Sequence, residues 1–256
     1  MSRAISGSKF AVIGGAAGYG QAVVKMLCSN NASKVFVVDK SFSKDRAGED
    51  KKNIVQIQAD IAVESQVDKA FEQIKAQSEN KVTSVVLCVL QPLIARLINS
   101  DNNTVKSNVN FRKAAEVSIF GRMQCLKNAA SLLAASNTEK NRSIVCLSSI
   151  FSDDGQKGHV FYSSLLGALD SAILPTARDL SQFGIRINGL KLGFFDSSSG
   201  LLSQPISVRE SIASIIPYPK RLGTSDDLTG AVKFLIENEY VNATNLRLDG
   251  GIRCFP

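Results

Sequence analysis

The stretch KFAVIGGAAGYG, residues 9 to 20, restricts the fold more than any other part of this 256-residue chain. The β-branched and aromatic run KFAVI reads as a buried strand, and it leads directly into a turn that places Gly14, Gly18 and Gly20 at the start of a helix-like segment. Glycines at such a junction permit a tight turn and let the backbone approach a bound group closely. The helix behind them presents free N–H groups and the positive end of its dipole. A pyrophosphate fits that description. A second strand, VFVVD, ends in Asp39, nineteen residues after Gly20. A carboxylate there accepts both hydroxyls of an adenosine ribose and repels a 2′-phosphate, so the two features together predict NAD in preference to NADP. Read without the glycines, Asp39 is an ordinary residue of a strand-end turn.

Further β-branched runs recur at NIVQIQ, SVVLCVL, SIVCL, RINGLKL and NLRL, with longer helix-like stretches between most of them. This alternation predicts an α/β fold, a doubly wound parallel sheet of Rossmann type covered by helices on both faces. Helical spacing runs through FRKAAEVSIFGRMQCLKNAASLLAAS and through YSSLLGALDSAILPTARDLSQF, where Pro175 is expected to kink or interrupt the pattern. No linker, repeat or second domain is evident: residues 1–8 read as an N-terminal extension and 9–256 as one domain. With 44% hydrophobic residues the chain has ample apolar surface for a single core.

Composition narrows the function classes. The five cysteines, Cys28, Cys88, Cys125, Cys146 and Cys254, are odd in number and never form a C-x-x-C pair, which points away from a disulfide framework or zinc site and toward a reducing compartment. A single histidine, His159, argues against a His-ligated metal. The longest apolar stretch, from Ser84, is broken by Gln91, Pro92 and Arg96 before it reaches the roughly 18 to 20 residues of a membrane span. The net charge of +7 is scattered, and the densest basic run, KSFSKDRAGEDKK, also holds three acids. A solvated basic surface explains it more simply than a nucleic-acid patch, and RNA contact stays open.

Ser149 closes the fifth strand-like run and Tyr162 follows it by thirteen residues. Together with the glycine turn, Asp39, Asp60 in QADI and the closing LDGG, this spacing resembles the short-chain dehydrogenase/reductase family over almost the whole chain. The stretches PTARDLSQFGIRI, PYPKRLG and IENEYVNATNLRLDGGIRCFP resemble its mitochondrial branch, which acts on 3-hydroxyacyl-CoA and hydroxysteroid substrates. The resemblance implies a seven-stranded Rossmann sheet, NAD, a homotetramer and the mitochondrial matrix. In animals an enzyme of that branch also serves as a non-catalytic scaffold in a mitochondrial RNA-processing assembly.

Carried over residue by residue, the resemblance divides the site. Gly14, Gly18, Gly20, Asp39 and Asp60 match the adenosine and pyrophosphate half. In the other half the family's Thr falls on Ile13, its Asn-Asn-Ala-Gly on Cys88, Val89, Leu90 and Gln91, its Asn on Ser118, its Pro-Gly on Leu192 and Gly193, and its Lys on Leu166. In the family that lysine binds the nicotinamide ribose and lowers the tyrosine pKa. A free phenol, with pKa near 10, is only about one part in a thousand ionised at pH 7. A cation about 4 Å away at an effective dielectric of 20 is worth roughly 4 kcal/mol, or around three pKa units.

The sequence therefore predicts a degraded catalytic site on a retained fold, with weak or absent NAD binding and a role as a structural or scaffold subunit among protein partners. The alternative is an active NAD-dependent oxidoreductase in which Lys191, at the mouth of the same cleft, stands in for the missing ammonium. On the bland reading Ser149 and Tyr162 are a packed, hydrogen-bonded pair, and His159 is a surface or cleft residue.

Overall fold

The computed structural model describes residues 4–42, 51–98, 111–138, 141–196, 201 and 204–253. Most of the KSFSKDRAGEDKK run, the first three residues of the N-terminal extension, and the last three residues with Cys254 lie outside them.

Seven strands form one parallel sheet: β1 (Lys9–Ile13), β2 (Lys34–Asp39), β3 (Ile54–Gln58), β4 (Val82–Leu87), β5 (Arg142–Ser149), β6 (Ile185–Leu192) and β7 (Asn245–Leu248). Their order across the sheet is β3-β2-β1-β4-β5-β6-β7. β4 and β6 are buried along their whole length, as strands covered on both faces require. The chain reverses its direction of winding after β3, so the crevice at the carboxyl ends of β1 and β4 is where such sheets bind ligands.

Helices α1 (Gly18–Ser29), α6 (Ile206–Ser214) and α7 (Ser225–Glu237) accompany α2 (Glu64–Ser78), α4 (Arg122–Ala134) and α5 (Val160–Leu180). One core packs α2, α4 and α5 on the sheet, and a second packs α1 and α7 on its other face. Ile5, fully buried in the second core, ties the described part of the N-terminal extension to the domain.

Two helices depart from simple periodicity. A short helix α3 (Phe111–Ala115) continues through a π-helical segment, Glu116–Gly121, into α4. At that joint Gly121 packs on another backbone: a Cβ there would stand 2.4 Å from the Ile61 carbonyl oxygen. In α5, Pro175 does not interrupt the helix. Pro175 and Ser171 are both exposed, so the Ser171 carbonyl that loses its partner faces water. The length and apolar composition of α5 suit a membrane span as well. Its buried residues nevertheless follow a single stripe, Tyr162, Leu165, Leu166, Leu169, Ile173, Ala177 and Leu180, the pattern of a core helix.

Candidate active site

At the end of β1 the Gly14 N–H donates to the Val38 carbonyl at 2.7 Å, and its φ of +79° lies in the left-handed region that side chains disfavour. Gly20 is needed for contact: a Cβ there would stand 2.0 Å from the Gly14 carbonyl oxygen. Gly18 opens α1. Asp39 brackets this turn, since its Oδ2 accepts the Ala16 N–H at 2.9 Å and its Oδ1 the Lys40 N–H at 2.8 Å. Each carboxylate oxygen keeps further acceptor capacity, so these residues fit an adenosine ribose. Asp60, two residues past β3, receives Lys40 Nζ at 2.8 Å and the Ala62 N–H at 3.0 Å. The Lys40 hydrogen bond, followed by that of Ala62, holds its carboxyl below the ordinary range.

The other half of the crevice is lined differently. After β4, Cys88 is buried and donates its N–H to the Ile13 carbonyl at 2.8 Å. The Val89 methyl Cγ2 lies 2.8 Å from where a Cβ on Gly14 would sit. Leu90 packs partly buried on the second core, and Gln91 is exposed. Leu166 and Leu192 are buried apolar side chains and Ser118 is buried in the π-helical segment. The adenosine half thus fits a dinucleotide. At the matched positions of the nicotinamide half, Leu166 puts hydrocarbon where the family has its ribose-binding lysine, while Ser118 and Gln91 are polar.

Ser149 ends β5 and Tyr162 lies in the first turn of α5, both only 6% exposed. The two side chains are close enough for Ser149 to act on the Tyr162 phenol. Ser149 Oγ donates to the Leu192 carbonyl at 3.2 Å. Burial pushes the Tyr162 phenol up to about 12, against the opposing pull of the Arg122 charge and the Ser149 hydrogen bond. His159 precedes α5 and stacks on Phe151 with ring centroids 4.3 Å apart, and burial holds its imidazole below the ordinary range. Phe151 also touches the Tyr162 and Phe194 rings, so aromatic surface closes the ends of β5 and β6.

Lys191 does not lie free at the cleft mouth. It is buried in β6, with Nζ 2.6 Å from Asp153 Oδ1 and 3.2 Å from Asp170 Oδ2. Asp153 in turn faces Arg247, which binds Asp154 and Asp249 at 2.7 Å each. The ammonium is committed to these carboxylates. The charge that acts on the phenol comes from Arg122.

A family model described as enoyl-(acyl carrier protein) reductase matches residues 14–253. The chain belongs to the short-chain dehydrogenase/reductase family. Within it, the chain is 30% identical over 250 residues to 3-hydroxyacyl-CoA dehydrogenase type-2 of Drosophila melanogaster, covering 96% of this chain and 97% of the relative. The Homo sapiens protein of the same name is 28% identical over 258 residues, 99% of this chain and 98% of its own length. A crystal structure of 3-hydroxyacyl-CoA dehydrogenase type-2 from Mycobacterium avium superposes with a TM-score of 0.87 at 27% identity, covering both chains fully.

As a short-chain dehydrogenase/reductase, the chain brings its motif residues together where the spacing predicted. Ser149 meets Tyr162, and Lys40 links Asp60 to the end of the strand that carries Asp39. The side chains that set the electrostatics of the catalytic half, Arg122, Asp153 and Asp170, were missed. A signal existed for two of them: Arg122 is four residues after Ser118 and Asp170 four after Leu166, so each charge stands in an otherwise apolar helical stripe.

Proposed function

We propose that this short-chain dehydrogenase/reductase has given up hydride-transfer catalysis and serves as a structural or scaffold subunit, with its adenosine half-site retained for weak NAD binding. One observation carries the reading: neither ammonium candidate is available to Tyr162, because Leu166 has none and Lys191 is held between Asp153 and Asp170. A phenol held near 12 is ionised at pH 7 only to roughly one part in 10⁵, which makes Tyr162 a poor base. The resemblance to the mitochondrial hydroxyacyl-CoA branch supports the mitochondrial matrix, a homotetramer, and an assembly concerned with RNA processing. Phe120 (68% exposed) and Met123, one helical turn apart, offer apolar surface for such contacts.

Incubation of the purified protein with a 3-hydroxyacyl-CoA and NAD tests the catalytic part, with NADH formation expected to fall at least about 10²-fold below the usual range of about 1 to 10³ per second. Turnover in that range overturns it. Purification from the native source tests the scaffold part: proteins present in fixed stoichiometry are expected, and a solitary homo-oligomer argues against it. The second reading, an NAD-dependent oxidoreductase of 3-hydroxyacyl-CoA or a hydroxysteroid, is favoured by the surviving contact between Ser149 and Tyr162. The same assay decides between them.

A further inference from the structure

Three cations are buried among the described residues: Arg122, Arg186 and Lys191. Arg186 fastens the end of α7, donating to the carbonyls of Leu235 at 3.1 Å, Ile236 at 2.9 Å and Val241 at 2.6 Å. Its Nε reaches Asn141 Oδ1 at 3.1 Å, so its donors are used structurally. Lys191 is neutralised by Asp153 and Asp170. Arg122 is different. It is 2% exposed, Nη2 donates to the Leu147 carbonyl, and the buried Nε has no hydrogen-bond partner. Among the described residues no carboxylate lies within ion-pairing distance of it.

Its position explains what it could serve. Arg122 is the first residue of α4, one turn beyond Ser118, and α5 packs against the π-helical segment that carries Ser118. Leu147, its acceptor, lies two residues before Ser149 on β5. The guanidinium thus reaches from α4 to β5, and β5 and α5 are the two elements that carry Ser149 and Tyr162. The groups that act on it are Cys146 from β5, Asp170 and Tyr162 from α5, and Cys125 from its own helix. The phenol is faced by Arg122 and by Ser149, with the His159 ring centroid 6.4 Å from its own. A buried lysine sheds its proton readily, whereas a guanidinium stays charged in such a place.

We propose that Arg122 is the cation of this site: a positioning residue that holds positive charge behind Tyr162 from α4, in place of an ammonium one turn along α5. Asp170, which pairs with Lys191 and also acts on Arg122, sets how much of that charge the phenol feels. The inference goes beyond the reading above, since it concerns the ionisation of Tyr162 and holds with or without turnover.

The test replaces Tyr162 with a fluorinated tyrosine, whose phenol ionises in a lower and more accessible pH range, and follows its ionisation by fluorine NMR in the full-length protein. Arg122→Gln is expected to raise the apparent pKa by about one unit, a tenfold loss in ionisation constant, and Arg122→Lys to recover part of that shift. Asp170→Asn is expected to move it the other way. An unchanged pKa in folded Arg122→Gln overturns the proposal, and so does a rise that follows Lys191→Met instead. Should Arg122→Gln fail to fold, Arg122→Met, which fills the same buried space without a charge or an unpaired polar atom, decides: a raised pKa supports Arg122 as the cation and an unchanged one refutes it.

Discussion

The two halves of the cleft are enforced by different physics. The adenosine half is defined by backbone: Gly14 by its dihedral, Gly20 by a contact no side chain could share, and Asp39 by the turn N–H it holds. The catalytic half is defined by side chains at places where the backbone would accept many residues. Placing Leu166 where the family has lysine, or Leu192 where it has proline, leaves helix and strand intact. A fold can therefore shed its chemistry while keeping its nucleotide turn, because the turn is also part of the packing between β1 and α1.

The sharpest way to break this contrast lies under the catalytic half. Lys191→Met leaves Asp170, whose side chain is 8% exposed, without its cation. A loss of about 3 to 5 kcal/mol is expected in denaturant unfolding, since removing one partner strands a buried charge. The double variant Lys191→Met/Asp170→Leu should regain most of it. A single variant as stable as the parent would mean that the pair is solvated and that the catalytic half is no more buried than the other.

Gly20→Ala comes next. Its new Cβ would fall 2.0 Å from a backbone oxygen, so α1 has to move off β1. Overpacking of this kind costs roughly 1 to 3 kcal/mol, and calorimetry should show nucleotide binding falling with stability. Stability lost with binding unchanged would separate the turn's packing role from its ligand role.

How much of this could be read from sequence follows the same division. The alternation of β-branched runs and helical periods announced the parallel sheet, and the strand–glycine–helix junction announced the crevice, because both are local signals. Ser149 and Tyr162 were legible through their spacing. Pro175 was expected to kink or interrupt α5, and the helix continues through it because the cost depends on whether the carbonyl it orphans meets water. The ion cluster was not legible as a cluster: Arg122, Asp170 and Lys191 lie on α4, α5 and β6, and nothing local in their segments tells which charges meet. Lys191 was seen as a cation and misplaced as free because its partners, Asp153 and Asp170, come from a loop and a helix far along the chain.

Leu166→Lys sharpens the comparison at a single residue. It returns an ammonium to the helix face of Tyr162, but it buries a charge where Leu166 is 2% exposed and where Arg122 already acts on the same phenol. A folded protein less stable by about 1 to 3 kcal/mol is expected, still without measurable NAD-linked turnover, because on the proposed function Cys88 to Gln91, Ser118 and Leu192 seat a nicotinamide poorly. Errors near 1 Å in such positioning cost about 10²-fold. Turnover of a 3-hydroxyacyl-CoA by this variant would locate the defect in one side chain.

The smallest effect is expected at the open end of the cleft, in the Lys40–Asp60 pair. Asp60 has its carboxyl held below the ordinary range chiefly by Lys40, whose side chain is 75% exposed. A depressed carboxyl contributes stability that is complete above the unfolded carboxylate range and disappears as pH falls through the folded pKa. Lys40→Gln should therefore lower stability near neutrality by only about 0.2 to 1 kcal/mol, and the two proteins should converge in acid as Asp60 protonates in both. Raising the salt concentration should narrow the gap as well, since a pair this exposed is screened. A difference that persists through acid and high salt would show that Lys40 acts through packing of its stem, and the adenosine half would then resemble the catalytic half in depending on buried side chains.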